Sequence, residues 1–221
     1  MFCSLQAKRK GLDNAQKQQL GGTGKKPFMY SFANVIFKKV KLALGLQEMK
    51  FGFTGAAPIQ KQTLEYFGSL GININEVYGM SECTGACTWS TDNCHLWGSC
   101  GFAVPGVEVK VFQFAEDGTK TECPPAAQIF HPTEQEQGEL CYRGRNIMMG
   151  YMANPELGPD HVAEIEKKNQ SAIDDDGWLH SGDKGCMDSQ GTLRHKTNPR
   201  NTAVTGLLTI DNCVDVVVFV R

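Results

Sequence analysis

Two short apolar runs, each ending in a glycine-bearing loop, constrain this chain more than any other feature: KFGFTGAAPI at 50–59 and NINEVYGMSE at 73–82. The first predicts a strand over Lys50 to Thr54 that breaks at Gly55 into small residues, with Pro58 suited to the first turn of a helix. That helix, about 59 to 70, sets Ile59, Leu64, Phe67 and Leu70 toward a core. A second strand, roughly 74 to 78, ends at Gly79. Two strands joined by one helix form a βαβ unit with parallel strands and a right-handed crossover. Both loops then leave the same sheet edge, where open α/β sheets bind small ligands. GAAP and YGMSE are therefore expected to line one pocket.

The rest of the 221 residues provide for one domain, or a domain and a half. SFANVIFKKVKLALGL, 31 to 46, carries Phe32, Val35, Ile36, Val40, Ala43 and Leu44 at helical spacing, with Lys38, Lys39 and Lys41 between them. It reads as a core-facing surface helix, with a membrane-surface helix as the alternative. From Gly106 to Tyr151 the pattern is mainly β: an alternating GVEVKVFQF, a turn at Asp117-Gly118, a Pro-rich loop, then GELCYRG. This implies a β-rich subdomain. A polar helix is expected over 155 to 173, and the DDDG at 174–177 reads as a tight turn rather than a calcium loop, because Ala172 and Asp183 fall where such a loop needs Asp and Glu.

Composition excludes several classes. A net charge of -2 gives no electrostatic basis for binding nucleic acid. MFCSLQAKRKGLDNAQ lacks the apolar core of a secretory signal, and no apolar run approaches a membrane span, so a cytoplasmic location is expected, with peripheral contact to a membrane surface as an addition. Nine cysteines would stay reduced there. Cys83, Cys87, Cys94, His95 and Cys100 lack the C-x-x-C spacing usual for structural zinc. QLGGTGKKP lacks the first glycine and the Ser or Thr of a phosphate loop and reads as a linker.

The chemistry concentrates in VYGMSECTG, 77 to 85. Strand, then G-x-S-x, then a helix is the setting of a hydrolase nucleophile, with Ser81 as the attacking group, although Cys83 stands where that elbow has its second glycine. Alternatively Glu82, a strand-end carboxylate beside a hydroxyl, can hold Mg²⁺ against a nucleotide phosphate, and Tyr78 can stack on a base. A solvated polar turn would need neither.

FTGAAPI, VYGMSECTG, GELCYRGRNIMMGYMANPE and GWLHSGDKG occur in an order and spacing that resembles the adenylate-forming (AMP-binding) superfamily of acyl-CoA synthetases, luciferases and adenylation domains. FKKVKLALGL and AIDDDGWLHSGD look most like the bubblegum-type long-chain fatty acid CoA ligases. The resemblance implies an α/β fold: a βαβ-containing, mostly parallel sheet with a β-rich subdomain, part of the large N-terminal domain of adenylate-forming enzymes. It implies activation of a fatty acid by ATP to acyl-AMP, then thioester formation with CoA, with Mg²⁺ as the metal. Carried onto this sequence, the adenine-contacting loop is Gly55, Ala56 and Ala57, with Tyr78 and Gly79 beside the base. Glu82 is the Mg²⁺ carboxylate, Ser81 the hydroxyl near the α-phosphate, and Asp183 the ribose-binding acid.

The pattern departs from that family at both ends. Residues 1–26, a polar N-terminal segment, contain no Ser/Thr/Gly-rich phosphate loop. The partial AMP-binding domain covers 27–193, and 194–221 diverge where the family has a hinge and a lid with a catalytic lysine. A truncated form with impaired turnover is the expectation, with a catalytically inactive nucleotide- or lipid-binding fragment as the alternative. The tail's VDVVVFV is β-prone.

Overall fold

A computed structural model describes residues 2–20, 22–55, 57, 59–195 and 217–220, with 2–4 and 217–220 described by their backbone alone. In chain order the regular elements among them are α1 (Phe2–Gln18), α2 (Tyr30–Ala43), β1 (Phe51–Thr54), α3 (Lys61–Ser69), β2 (Ile74–Met80), β3 (Gly85–Trp89), β4 (Phe102–Ala103), β5 (Val107–Phe114), β6 (Lys120–Glu122), β7 (Gly138–Gly144), α4 (Pro159–Ala172), β8 (Leu179–Met187), β9 (Leu193–His195) and β10 (Val217–Val220). Single 3-10 turns occupy Ser81–Cys83, Glu134–Glu136 and Pro155–Leu157. The chain divides into two units: Met1–Tyr78 with Trp89–Gly101 and Ile210–Arg221, and Gly79–Thr88 with Phe102–Thr209.

The first unit holds the predicted β-α-β. β1 and β2 are parallel, with Gly52 opposite Ile74 and Thr54 opposite Glu76. Val217–Val220, within the β-prone run, pairs antiparallel with β1, so this sheet is mixed; residues 196–216 of the divergent tail lie outside the described residues. α3 begins at Lys61, after an extended Gln60, two residues later than the sequence suggests. Ile59, Leu64, Leu70, Ile72 and Ile74 form the core with Ala15 and Trp97. Burying five such aliphatic side chains and an indole contributes about 1.5–3 kcal/mol each, before the entropy of ordering them is set against it.

Two findings differ from the expectation for the N-terminal third. Much of the polar N-terminal segment is helix α1, whose contact side is built from the small residues Ala7, Gly11 and Ala15, four apart. A Cβ on Gly11 would stand 2.4 Å from the Ser69 carbonyl oxygen, so only glycine permits this approach of α1 to α3. In α2 the buried residues are Ala33 and Phe37, flanked by Tyr30 and Ile36, while Phe32 and Val35, and Leu44 just past its end, are exposed. The helix carries two apolar stripes, and α1 covers the one centred on Phe37.

Glu76 is a buried charge in this unit. Its carboxylate accepts from the Gly98 N–H at 3.1 and 3.0 Å and faces His95 Nε2 at 3.5 Å. Burial raises its carboxyl above the ordinary range, against the opposing pull of His95 and Gly98. The folded state thus keeps the Glu76 proton to higher pH than the unfolded chain. Its contribution is full below the ordinary carboxyl value and is lost as pH rises through the folded one. Glu76→Gln retains an acceptor for Gly98 and removes the charge. Its melting temperature is expected to gain on the native protein as pH rises from about 4 to about 7, read by circular dichroism.

The second unit contains an antiparallel sheet ordered β6-β5-β7-β8-β9. Asp117-Gly118 makes the expected turn, with Gly118 at φ 84° and the Thr119 N–H donating to Asp117 Oδ1. DDDG is likewise a turn: Asp174 Oδ1 accepts from the N–H groups of Asp176 and Trp178, and Gly177 takes φ 79°. The expected 155–173 helix is interrupted at Gly158 (φ 93°) and restarts as α4 with Pro159 in its first turn. Trp178, Phe112 and Cys141 form the buried cluster under the sheet.

Candidate functional site

The turn that follows β2 is fixed entirely within the second unit. Gly79 could carry no side chain, since a Cβ there would fall 1.8 Å from the Gly85 carbonyl oxygen. Ser81–Cys83 make one 3-10 turn, and Thr84 (φ 62°) and Gly85 (φ 114°) reverse the chain into β3. Residues 146–151 strap this turn. The Met148 N–H donates to the Glu82 carbonyl at 2.8 Å, Asn146 Nδ2 to the Cys83 carbonyl at 3.0 Å, and Thr84 Oγ1 to the Asn146 carbonyl at 2.7 Å.

The side chain of Glu82 is held by the same segment. Tyr151 donates its hydroxyl to Glu82 Oε1 at 2.7 Å. Burial, and then the neighbouring carboxylate, push the Tyr151 phenol up to about 12, so it remains a donor at neutral pH. Tyr151 is anchored in turn from α4, because Asn169 accepts from its N–H at 2.6 Å and donates to its carbonyl at 2.9 Å, while Lys168 lies 4.1 Å above its ring. Glu82 Oε2 has no hydrogen-bond partner among the described residues. A half-buried carboxylate with one oxygen oriented and the other available suits a hard divalent cation such as Mg²⁺.

Tyr151→Phe removes one charge-assisted hydrogen bond and little volume. A loss of about 1 kcal/mol in urea unfolding is expected, with the fold retained. An unchanged midpoint would show that the contact holds nothing.

Ser81 is exposed at the head of the turn, and no histidine among the described residues is hydrogen-bonded to it. His95 faces Glu76, His180 faces Glu139 and Asp174, and His195 faces Asp183. Among the described residues, Ser81 thus has no hydrogen-bonded histidine of the kind a hydrolase elbow uses as its base. The zinc set read from the sequence also finds other roles: Cys83 and Cys87 are buried and hydrogen-bonded to each other, and Cys94 is exposed.

Asp183 lies in strand β8 rather than in a glycine-flanked turn. Glu139 pairs with Lys184, yet Cys141 pairs with His180, so β8 carries two extra residues over this stretch. Ser181, Gly182 and Asp183 are that bulge. Ser181 Oγ donates to the Leu140 carbonyl at 2.7 Å, the Gly182 N–H to Glu139 Oε1 at 2.8 Å, and Gly182 sits at φ 72°. Asp183 Oδ1 is 3.4 Å from His195 Nε2. Bulges re-aim side chains in this way beside functional sites.

The remaining predicted positions belong to the first unit. Gly55 follows β1 directly, and a Cβ on it would stand 3.3 Å from the Val77 carbonyl oxygen, which favours its smallness. Tyr78 is half-buried near the end of β2, and Ala57 is half-buried; Ala56 and Pro58 lie outside the described residues. Sequence reasoning missed Asn146, Tyr151 and Asn169. The first two stand inside GRNIMMGYMANPE, where their polarity amid apolar neighbours was the available signal.

Comparison with known proteins follows the same outline. The AMP-binding enzyme family matches residues 6–152. Among curated relatives, the long-chain-fatty-acid–CoA ligase ACSBG2 of Xenopus laevis is 38% identical over 188 residues, covering 85% of this chain and 21% of its own length. The long-chain-fatty-acid–CoA ligase heimdall of Drosophila melanogaster is 32% identical over 184 residues, covering 81% and 23%. The chain thus spans about a fifth of the length of the curated relatives it matches. Among solved structures, ATP-bound MatB from Rhodopseudomonas palustris aligns with a TM-score of 0.52 at 26% identity, over 75% of this chain and 29% of that one. O-succinylbenzoate coenzyme A synthetase (MenE) from Bacillus subtilis, solved with ATP and magnesium ion, aligns with a TM-score of 0.51 at 24% identity, over 70% and 27%. These matches bear out the α/β fold and the resemblance to bubblegum-type ligases: the chain belongs to the AMP-binding enzyme family.

Proposed function

We propose that this chain carries the nucleotide-handling part of a long-chain fatty acid CoA ligase, with Glu82 as the metal-side carboxylate. The observation that supports this most directly is the bond from Tyr151 to Glu82 Oε1, which leaves Oε2 available at a strand end. In the overall reaction a fatty acid carboxylate displaces pyrophosphate from the α-phosphorus of ATP, and the CoA thiol then displaces AMP from the acyl-AMP. Mg²⁺, when bound, neutralises charge on the phosphoryl oxygens. Glu82 would hold the ion, the exposed Ser81 hydroxyl would donate to an α-phosphate oxygen, and the Asp183 carboxylate would accept from ribose hydroxyls. The small side chains of Gly55, Ala56 and Ala57 would permit close approach of a flat adenine, and the family resemblance assigns Tyr78 and Gly79 beside the base.

We also assign the protein a cytoplasmic place with peripheral contact to a membrane surface, such as the endoplasmic reticulum. Exposed Phe32, Val35 and Leu42 on α2 together with Lys38, Lys39 and Lys41 support it, as apolar and basic groups on one helix suit an anionic lipid surface.

The test is fatty-acid-dependent ATP–pyrophosphate exchange by the purified chain, paired with binding of labelled AMP. Exchange and binding together support the ligase reading. Binding without exchange means a catalytically inactive nucleotide-binding fragment, and the absence of both removes the nucleotide assignment.

A further inference from the structure

Away from Glu82, the second unit brings together three side chains of metal-ligating type that no part of the ligase reading uses. Among the described residues, Glu139, Cys141 and His180 are the group of this kind whose ligand atoms all lie within 4.8 Å of one another. Their proximity follows from the sheet. Glu139 and Cys141 alternate on one face of β7, Cys141 is the cross-strand partner of His180 on β8, and the bulge at 181–183 draws Glu139 to the same point.

The distances fit an ion. His180 Nδ1 lies 3.1 Å from Glu139 Oε2 and 3.8 Å from Cys141 Sγ. Tetrahedral zinc with ordinary bond lengths would set nitrogen and oxygen about 3.3 Å apart, and sulfur and nitrogen about 3.6 Å apart. Each ligand is also oriented from behind. His180 turns its other nitrogen, Nε2, toward Asp174 Oδ2 at 3.5 Å, the arrangement by which a carboxylate fixes the tautomer of a metal-binding imidazole. Asp174 is itself held by Lys120 at 2.7 Å and by the Trp178 N–H at 2.9 Å. Glu139 Oε1 accepts from the Gly182 N–H, which leaves Oε2 to face the cluster, and the Phe114 ring lies 5.2 Å from the imidazole.

We propose that Glu139, Cys141 and His180 form a binding site for one zinc ion, with its fourth position on the solvent side where Glu139 and His180 are partly exposed. A sulfur, nitrogen and oxygen donor set suits zinc above magnesium or calcium. Binding releases the Cys141 thiol proton to solvent and leaves a zinc–thiolate bond, which offsets the burial and the neighbouring carboxylates that otherwise keep that thiol protonated. The ion would tie β7 to β8 where the Ser-Gly-Asp bulge begins. The inference does not depend on the ligase reading.

Cobalt(II) is the probe, because a cobalt–thiolate bond gives a near-ultraviolet charge-transfer band that oxygen and nitrogen ligands do not. The native chain is expected to bind one equivalent with that band, displaced by one equivalent of zinc, and to melt at higher temperature with zinc present. Cys141→Ala should lose the band and bind zinc at least about 100-fold more weakly, and Asp174→Asn about tenfold more weakly with the band kept. Glu139→Gln, which preserves shape, serves if Cys141→Ala does not fold: it should also weaken zinc about tenfold or more. No stoichiometric binding, a band that survives Cys141→Ala on account of the exposed Cys94, or native affinity in Glu139→Gln would each overturn the assignment and leave an ordinary His180–Glu139 ion pair.

Discussion

Under the proposed ligase reading, Glu82→Ala is expected to lower fatty-acid-dependent ATP–pyrophosphate exchange by about 100-fold or more, the usual scale for deleting a group that stabilises charge on transferring phosphoryl oxygens. Weaker nucleotide binding should accompany it, and only when magnesium is present. The magnesium dependence separates loss of a metal-side carboxylate from general damage, because Tyr151→Phe disturbs the same hydrogen bond while sparing the charge. Equal exchange by Glu82→Ala and native protein across a magnesium titration would remove Glu82 from the site. Glu82→Gln sharpens the comparison, since it keeps an acceptor for Tyr151 and removes only the negative charge.

Trp178→Ala should be the most damaging single change to the fold, at about 3–5 kcal/mol, against a total stability of about 5–15 kcal/mol for ordinary domains. The indole is buried, meets the Phe112 ring edge-on at 5.5 Å, and carries the Arg143 guanidinium 4.5 Å above its face. Its removal opens a cavity beneath β5 and β7. It also strips Arg143 of a stacking surface, though Arg143 keeps Glu108 at 2.7 Å. Trp178→Phe, which fills most of that space, should lose about 1–2 kcal/mol. Urea unfolding of the two variants beside the native chain gives the ranking, and equal midpoints for alanine and phenylalanine would place the stability elsewhere.

How legible each part was depended on whether its cause was local. β1, α3 and β2 could be read because alternation, apolar spacing and glycine breaks act within a few residues. α1 escaped notice because its contacts are made by Ala7, Gly11 and Ala15; a search for bulky apolar residues at helical spacing cannot see a face made of small ones. In α2 the helix was legible and its phase was not. Phe32, Val35 and Leu44 satisfy the same periodicity as Ala33 and Phe37, and only a neighbour could choose between the stripes. The place of Glu82 just after a strand was readable from the glycine break that follows the apolar run. Its partner Tyr151 is 69 residues away, and no local rule joins the two. The setting of Asp183 was not legible, since a bulge is a property of two strands in register.

At that bulge the Gly182 amide rests on the Glu139 side chain in place of a neighbouring strand's carbonyl. The local register here is thus held by a side chain reaching across from the neighbouring strand. Hydrogen–deuterium exchange should therefore find a local minimum of protection at 181–183, inside an otherwise slow-exchanging strand.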